Sequence, residues 1–354
     1  MSASLSLLNP VPKIDYDSFD KSLIEVHKRI AVLKGACFGL PNPKLLLSPT
    51  VLREALASSE IENIVTTLAS VLQAQLFSEA EQSPADKEVM RYNRALNSGL
   101  ELMKNIPLGS RVIKNVHDAL MPNESGYRRD QVYIKNTATG EIVYKPPGAN
   151  EIEDLISDLE KFIHDDSSNV DPIIKTIMTH YQFEAIHPFS DGNGRTGRIL
   201  MVLCLIYYEL LNLPVLFISG YINSHKSEYY SALRNVTEKA DWNAYINYML
   251  TAFIEQSEKS TTVLLKIKDL HDNIKRQIRR ELPKIYSRDL IDELFNRPLI
   301  TPTAYSAAMG VTYQTASTHL KKLKNIGIMN SFKAGRYTVY ANMALIDLLS
   351  GNDQ

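Results

Sequence analysis

Twelve residues, HPFSDGNGRTGR at positions 187–198, interrupt two apolar runs and limit what the chain around them can become. The run before, DPIIKTIMTHYQFEAI, and the run after, within RTGRILMVLCLIYYELL, place apolar residues at three- and four-residue steps, so each reads as a helix. Pro188 stops the first helix after His187, and the second starts at about Gly194 once Gly197 is tolerated inside it. Between them SDGNG folds back with its amides beside the free N–H groups of the new helix. Free amides at the positive end of a helix dipole make an anion site. Arg195 and Arg198, three apart, share a helix face and suit phosphate oxygens. Asp191 would repel a phosphate, a contradiction that a Mg2+ ion bridging carboxylate and phosphate removes. The stretch therefore asks for a polyphosphate with Mg2+. Its glycine spacing approaches that of a P-loop, but Arg198 stands where the lysine belongs and Ile199 where the hydroxyl belongs, and no strand precedes it.

Helical periodicity fills most of the remaining chain, with one early exception: DQVYIKNTATGEIVYKPP has two β-rich runs around a turn in which Gly140 can take a positive φ. EKSTTVLLKIKDLHDNIKRQIRRELPKIYS reads as a long polar-faced helix stopped near Pro283. From Ser287 the order becomes helix, helix, turn at Gly310, helix, hairpin, which is that of a winged helix-turn-helix. With 44% hydrophobic and 22% charged residues and a net charge of −1, the chain reads as soluble and globular, and a globally basic nucleic-acid binder is excluded. The two cysteines, Cys37 and Cys204, have no metal or disulfide spacing, and Cys204 reads as a buried thiol. Neither a signal peptide nor a membrane span is legible, so a cytoplasmic location is expected.

The twelve residues resemble the signature of the Fic family, HPFx(D/E)GNGRxxR, at every specified position. The fold that this implies is mostly α: a Fic-type helical core with a β-hairpin flap, followed here by a C-terminal winged helix-turn-helix domain. The expected division is an N-terminal helical region (1–106), a catalytic core (107–262), a helical connector (263–285) and the winged domain (286–354). The implied activity is transfer of AMP from ATP to a Ser, Thr or Tyr hydroxyl of a protein, this chain included. By the resemblance His187 is the general base and Asp191 the Mg2+ ligand. Gly192, Asn193 and Gly194 form the anion hole, and Arg195 and Arg198 hold the β- and γ-phosphates, with Thr196 and Gly197 in the same ATP-binding segment. Tyr229 and Tyr230 fall where the family has tyrosines near the nucleoside, although paired tyrosines on an amphipathic helix also serve as packing. The hairpin 131–145 sits where the family docks its target.

Upstream, Ser58 to Asn63 fits the inhibitory pattern (S/T)xxxE(G/N) of autoinhibited Fic proteins. Glu62 would then pair with Arg198 and occupy the guanidinium that should grip the γ-phosphate. In some family members the same glutamate supports removal of AMP, and that direction stays open here. Ser59 followed three residues later by Glu62 also reads as a helix capping box. In the last domain Thr312, Tyr313, Gln314 and Thr315 suit base edges, and Lys321, Lys322 and Lys324 suit phosphates. Seven Lys/Arg against five Asp/Glu from Tyr286 to Gln354 give only thin support for DNA binding, so DNA and protein partners both stay open, as does a homodimer. The alternative function is a nucleotide-responsive winged-helix transcriptional regulator, which would need the anion hole but not the base.

Overall fold

The computed structural model describes residues 12, 14–38, 43–77, 81–135, 139–335 and 337–351. Two helices occupy its centre, α7 (Pro172–Ile186) and α8 (Asn193–Tyr207), joined by the loop that carries the motif. Both are buried on nearly every side, as helices apolar all round must be. Asp171 caps α7 by accepting from the amide of Ile173, and Pro172 fills the first helical position, where a missing N–H is harmless.

The other elements wrap this pair. In chain order α1 (Asp20–Phe38), α2 (Pro43–Ile61), α3 (Leu68–Ala74), α4 (Pro84–Leu102) and α5 (Ser110–Leu120) come first. The hairpin β1 (Ile134–Lys135) and β2 (Ile142–Tyr144) and the helix α6 (Ile152–His164) precede the central pair; α9 (Ser219–Ser224), α10 (Lys226–Lys239) and α11 (Trp242–Glu281) follow it. Helices α4 and α5 pack on α8, α6 packs on α7, and α2 lies against α4, α8 and α9. The hairpin is antiparallel, with Ile134 opposite Tyr144, and Gly140 takes φ +72 as its turn requires. Positions 136–138 of the expected hairpin 131–145 lie outside the described residues.

Helix α11 merges two segments that read as separate in the sequence. It runs unbroken for 40 residues and therefore crosses the expected boundary at 262/263. Beyond it lie α12 (Arg288–Asn296), β3 (Leu299–Ile300), α13 (Pro302–Met309), α14 (Tyr313–Asn325), β4 (Asn330–Ala334), β5 (Tyr337–Ala341) and α15 (Met343–Ser350). The three strands form one antiparallel sheet in the order β3–β5–β4, and Gly310 closes α13 at φ +63. This C-terminal module is not free of the rest: α12 and α15 pack on both α2 and α11. Both cysteines are free and buried. No described helix is long and apolar enough to cross a membrane.

Candidate functional site

The motif loop is built by hydrogen bonds that close it on itself. His187 ends α7 in the left-handed region, φ +51 and ψ +59, a conformation that costs a non-glycine residue about 1–3 kcal/mol. Asn193 spans the loop: its Oδ1 accepts from the Phe189 amide (2.9 Å) and its Nδ2 donates to the Phe189 carbonyl (2.8 Å). Its side chain is thus spent on loop shape, and what it can offer an anion is its backbone. Gly192 takes φ +72, and a Cβ there would sit 3.0 Å from Met121 Cγ. From α5, His117 stacks flat on Phe189 (3.6 Å, 3°) and donates from Nε2 to the Asp191 carbonyl (3.1 Å). The Asp191 carboxylate itself faces solvent at 64% side-chain exposure, accepting from the Gly192 amide (2.6 Å).

Both motif arginines are buried, at 1% and 3% exposure, and each meets the segment at the end of α2. Arg195 donates from Nε to Glu62 Oε2 (2.7 Å) and from Nη1 to Glu88 Oε2 (2.5 Å). Arg198 donates from Nε to Ser58 Oγ (2.7 Å) and from Nη2 to Glu62 Oε1 (2.7 Å) and the Ser58 carbonyl (2.9 Å). One carboxylate therefore bridges two guanidiniums. Burial alone would lower the pKa of Arg198, but Glu62 and then Glu184 outweigh it and keep the group protonated. Gly194 makes the approach possible, since a Cβ there would lie 2.5 Å from Glu62 Oε1. The Glu62 carboxylate thus sits at the first turn of α8, where amides and dipole favour an anion.

Local geometry explains the segment 58–63. Ser59 and Glu62 lie at the C-terminal end of α2, not at a helix start, so the capping-box reading does not form. The amides of Glu62 and Ile64 both donate to the Ser59 carbonyl, and Asn63 takes φ +64. This is the left-handed helix ending that glycine and asparagine tolerate best, which gives the last position of the pattern a physical reason.

The His187 pKa is pushed down to about 4, chiefly by burial and further by the Arg128 cation, against the pull of the Glu184 carbonyl, Glu62 and Asp191. Its imidazole is therefore neutral at physiological pH. Glu184 lies under the crossing of α7 and α8, where burial pushes its carboxyl up to about 7. A Cβ on Gly197 would stand 2.2 Å from Glu184 Oε1, so this glycine is fixed by helix packing. Thr196 is buried, with no partner for its hydroxyl among the described residues. The two tyrosines part company. Tyr229 is 2% exposed with its hydroxyl 2.8 Å from His180 Nε2, and so is core packing here; Tyr230 is 49% exposed.

Three residues that sequence reasoning missed complete the site: Glu88, His117 and Arg128. Arg128, in the stretch before the hairpin, is 4% exposed and reaches the His187 carbonyl from Nε (2.8 Å). The hairpin shows Tyr133, Ile142 and Val143 to solvent, and its Tyr144 hydroxyl donates to the Ala185 carbonyl (2.8 Å). In the C-terminal module Tyr313, Gln314, Lys321 and Lys322 are exposed. Thr312 caps α14 through the amide of Thr315, and Lys324 donates to Ser331 Oγ (2.8 Å).

Three family models match successive parts of the chain. Residues 21–101 match the Fic/DOC family N-terminal region, 107–205 the Fic/DOC family, and 270–345 the C-terminal domain of SoFic-like protein adenylyltransferases. The chain is 29% identical over 190 residues to protein adenylyltransferase Fic of Drosophila melanogaster, covering 50% of this chain and 36% of that one. It is 33% identical over 115 residues to a probable protein adenylyltransferase of Aquifex aeolicus, 32% of each chain. It thus spans about a third of the length of these curated relatives. A Fic family protein from Desulfovibrio desulfuricans shares the fold at a TM-score of 0.62 and 20% identity, over 94% of this chain and 97% of the other.

Proposed function

The chain belongs to the Fic/DOC family, and from that premise we propose that it is a protein adenylyltransferase held in check by its own Glu62. The observation that carries this reading is the seat of the Glu62 carboxylate, at the first turn of α8 and bonded to Arg195 and Arg198 at 2.7 Å each. A nucleotide's phosphates want the same amides and the same two cations. The relatives named as a protein adenylyltransferase and a probable protein adenylyltransferase support the chemistry.

In the reaction the hydroxyl of a target protein attacks the α-phosphorus of ATP. Its proton passes to the neutral His187, the new O–P bond forms, and the bond to the β-phosphate breaks to release pyrophosphate. Positioned proton transfer of this kind contributes about 10²- to 10⁴-fold. Arg195 and Arg198, with the amides of 192–194, would stabilise charge on the phosphates. The exposed Asp191 carboxylate fits a Mg2+ ion that arrives with the nucleotide, since Mg2+ is commonly held by one carboxylate plus substrate phosphates. The ion would supply charge neutralisation at the phosphates. The exposed hairpin offers an edge along which a target segment can lie. Glu62 opposes all of this by occupying the arginines, and a charge-assisted bond of about 1.5–3 kcal/mol suffices for roughly ten- to a hundredfold suppression.

The test is label transfer from ATP carrying the label at its α- or its γ-phosphate, with Mg2+, comparing wild type, Glu62→Gly and Glu62→Gly with His187→Ala. Label from the α-phosphate alone, raised by Glu62→Gly and lost with His187→Ala, is expected. Label from the γ-phosphate would make the protein kinase-like, and none in any variant would favour the winged-helix regulator.

A further inference from the structure

Arg128 is a buried cation whose guanidinium donates only to backbone carbonyls among the described residues. Nε reaches the His187 carbonyl (2.8 Å), and Nη2 reaches those of Pro147 (2.6 Å) and Ile186 (3.4 Å). Nη1 reaches the Asp130 carbonyl (3.0 Å), and the Arg128 amide donates to the Pro188 carbonyl (2.9 Å). These acceptors form two groups. Ile186, His187 and Pro188 are the end of α7 and the start of the motif loop, while Asp130 and Pro147 flank the hairpin at its two feet. A desolvated cation without a carboxylate is unfavourable unless other negative charge faces it. The last carbonyls of α7 supply it, because the negative end of the helix dipole lies there. Only a planar fork of donors meets four carbonyls in divergent directions; an ammonium of the same charge does not.

We propose that Arg128 is a positioning residue for adenylyl transfer: it fastens both feet of the target-docking hairpin to the backbone of His187, setting the distance between an incoming hydroxyl and the imidazole. This rests on the reading of His187 as base and of the hairpin as docking edge. His187 is left-handed at φ +51, and its carbonyl accepts from Arg128 Nε. The Tyr144 hydroxyl, bonded to Ala185, gives the hairpin a second attachment. Loss of Arg128 therefore loosens the hairpin against His187 without detaching it, and the arginines on α8 are left in place.

The experiment places Arg128→Gln and Arg128→Lys in the full chain carrying Glu62→Gly and follows self-adenylylation against ATP concentration. For Arg128→Gln kcat is expected to fall at least tenfold with the KM for ATP unchanged within twofold, and Arg128→Lys is expected not to restore it. A fall in kcat matched by a rise in the KM for ATP, or full recovery with Lys, overturns the proposal. A second readout does not depend on activity. Amide hydrogen exchange in 129–135, 139–147 and 187–191 is expected to speed at least tenfold in Arg128→Gln while 195–207 keeps its protection. Unchanged protection of the hairpin feet also overturns it. If the Glu62→Gly protein with Arg128 intact transfers no AMP, the adenylyltransferase reading fails on its own, and the exchange data still decide whether Arg128 makes the tie.

Discussion

The motif loop and helix α14 both carry cations on the first turns or the outer face of a helix, yet they treat them in opposite ways. Arg195 and Arg198 are almost fully buried, and each is fixed by a carboxylate at 2.7 Å; Lys321 and Lys322 of α14 lie in water. Burying a charge is unfavourable unless its partners are in place, whereas an exposed charge is nearly free of such demands. Burial therefore marks the cations whose geometry the fold has settled, and exposure marks those whose partner must come from outside. The first kind informs about mechanism; the second informs only about what is available for binding.

The strongest way to break this contrast is Arg198→Leu. Removing the cation leaves Glu62 unpaired on that side and Glu54 and Glu184 without the nearby positive charge, so stability should fall by about 3–5 kcal/mol in urea unfolding. A loss below about 1 kcal/mol would mean that the network adds little, as surface pairs do. Next comes Gly197→Ala, which drives a methyl group into the Glu184 carboxylate and should cost about 1–3 kcal/mol. Adding Glu184→Ala should return part of that loss, and strictly additive costs would show that the two residues do not meet.

A smaller effect concerns pH. Because His187 binds its proton only near about 4, transfer by the Glu62→Gly protein should stay flat from about pH 8 down to about pH 6 and fail as pH drops through the His187 value. An acid limb near the ordinary histidine pKa of about 6.5 would show a solvated ring. The smallest effect is expected from Lys321→Ala with Lys322→Ala, which should shift unfolding by no more than about 0.5 kcal/mol. A larger shift would place these lysines in the packing and erase the contrast.

How much of this the sequence discloses depends on where each partner lies. The loop 187–198 is legible because its residue types and spacing are contiguous, and the helices around it because their periodicity is local. Glu62 was visible only through its pattern, and Ser59 with Glu62 spelled a helix start as readily as a helix end, a choice that the left-handed Asn63 decides. Arg128 and Glu88 were silent: one binds backbone carbonyls, which have no letter in the sequence, and the other meets Arg195 from 107 residues away. The expected boundary at 262/263 falls inside the 40-residue α11, along which α1 packs. Tyr229 and Tyr230 are adjacent letters with opposite fates, set by the His180 side chain that one of them meets.

The bridge between Glu62 and the two arginines also has an order in time. Glu62 precedes Arg195 by 133 residues and Arg198 by 136, and synthesis at about 5–20 residues per second gives the carboxylate a lead of roughly 7–27 seconds over Arg198. The anion that fills the first turn of α8 is thus already on the nascent chain when that turn is made.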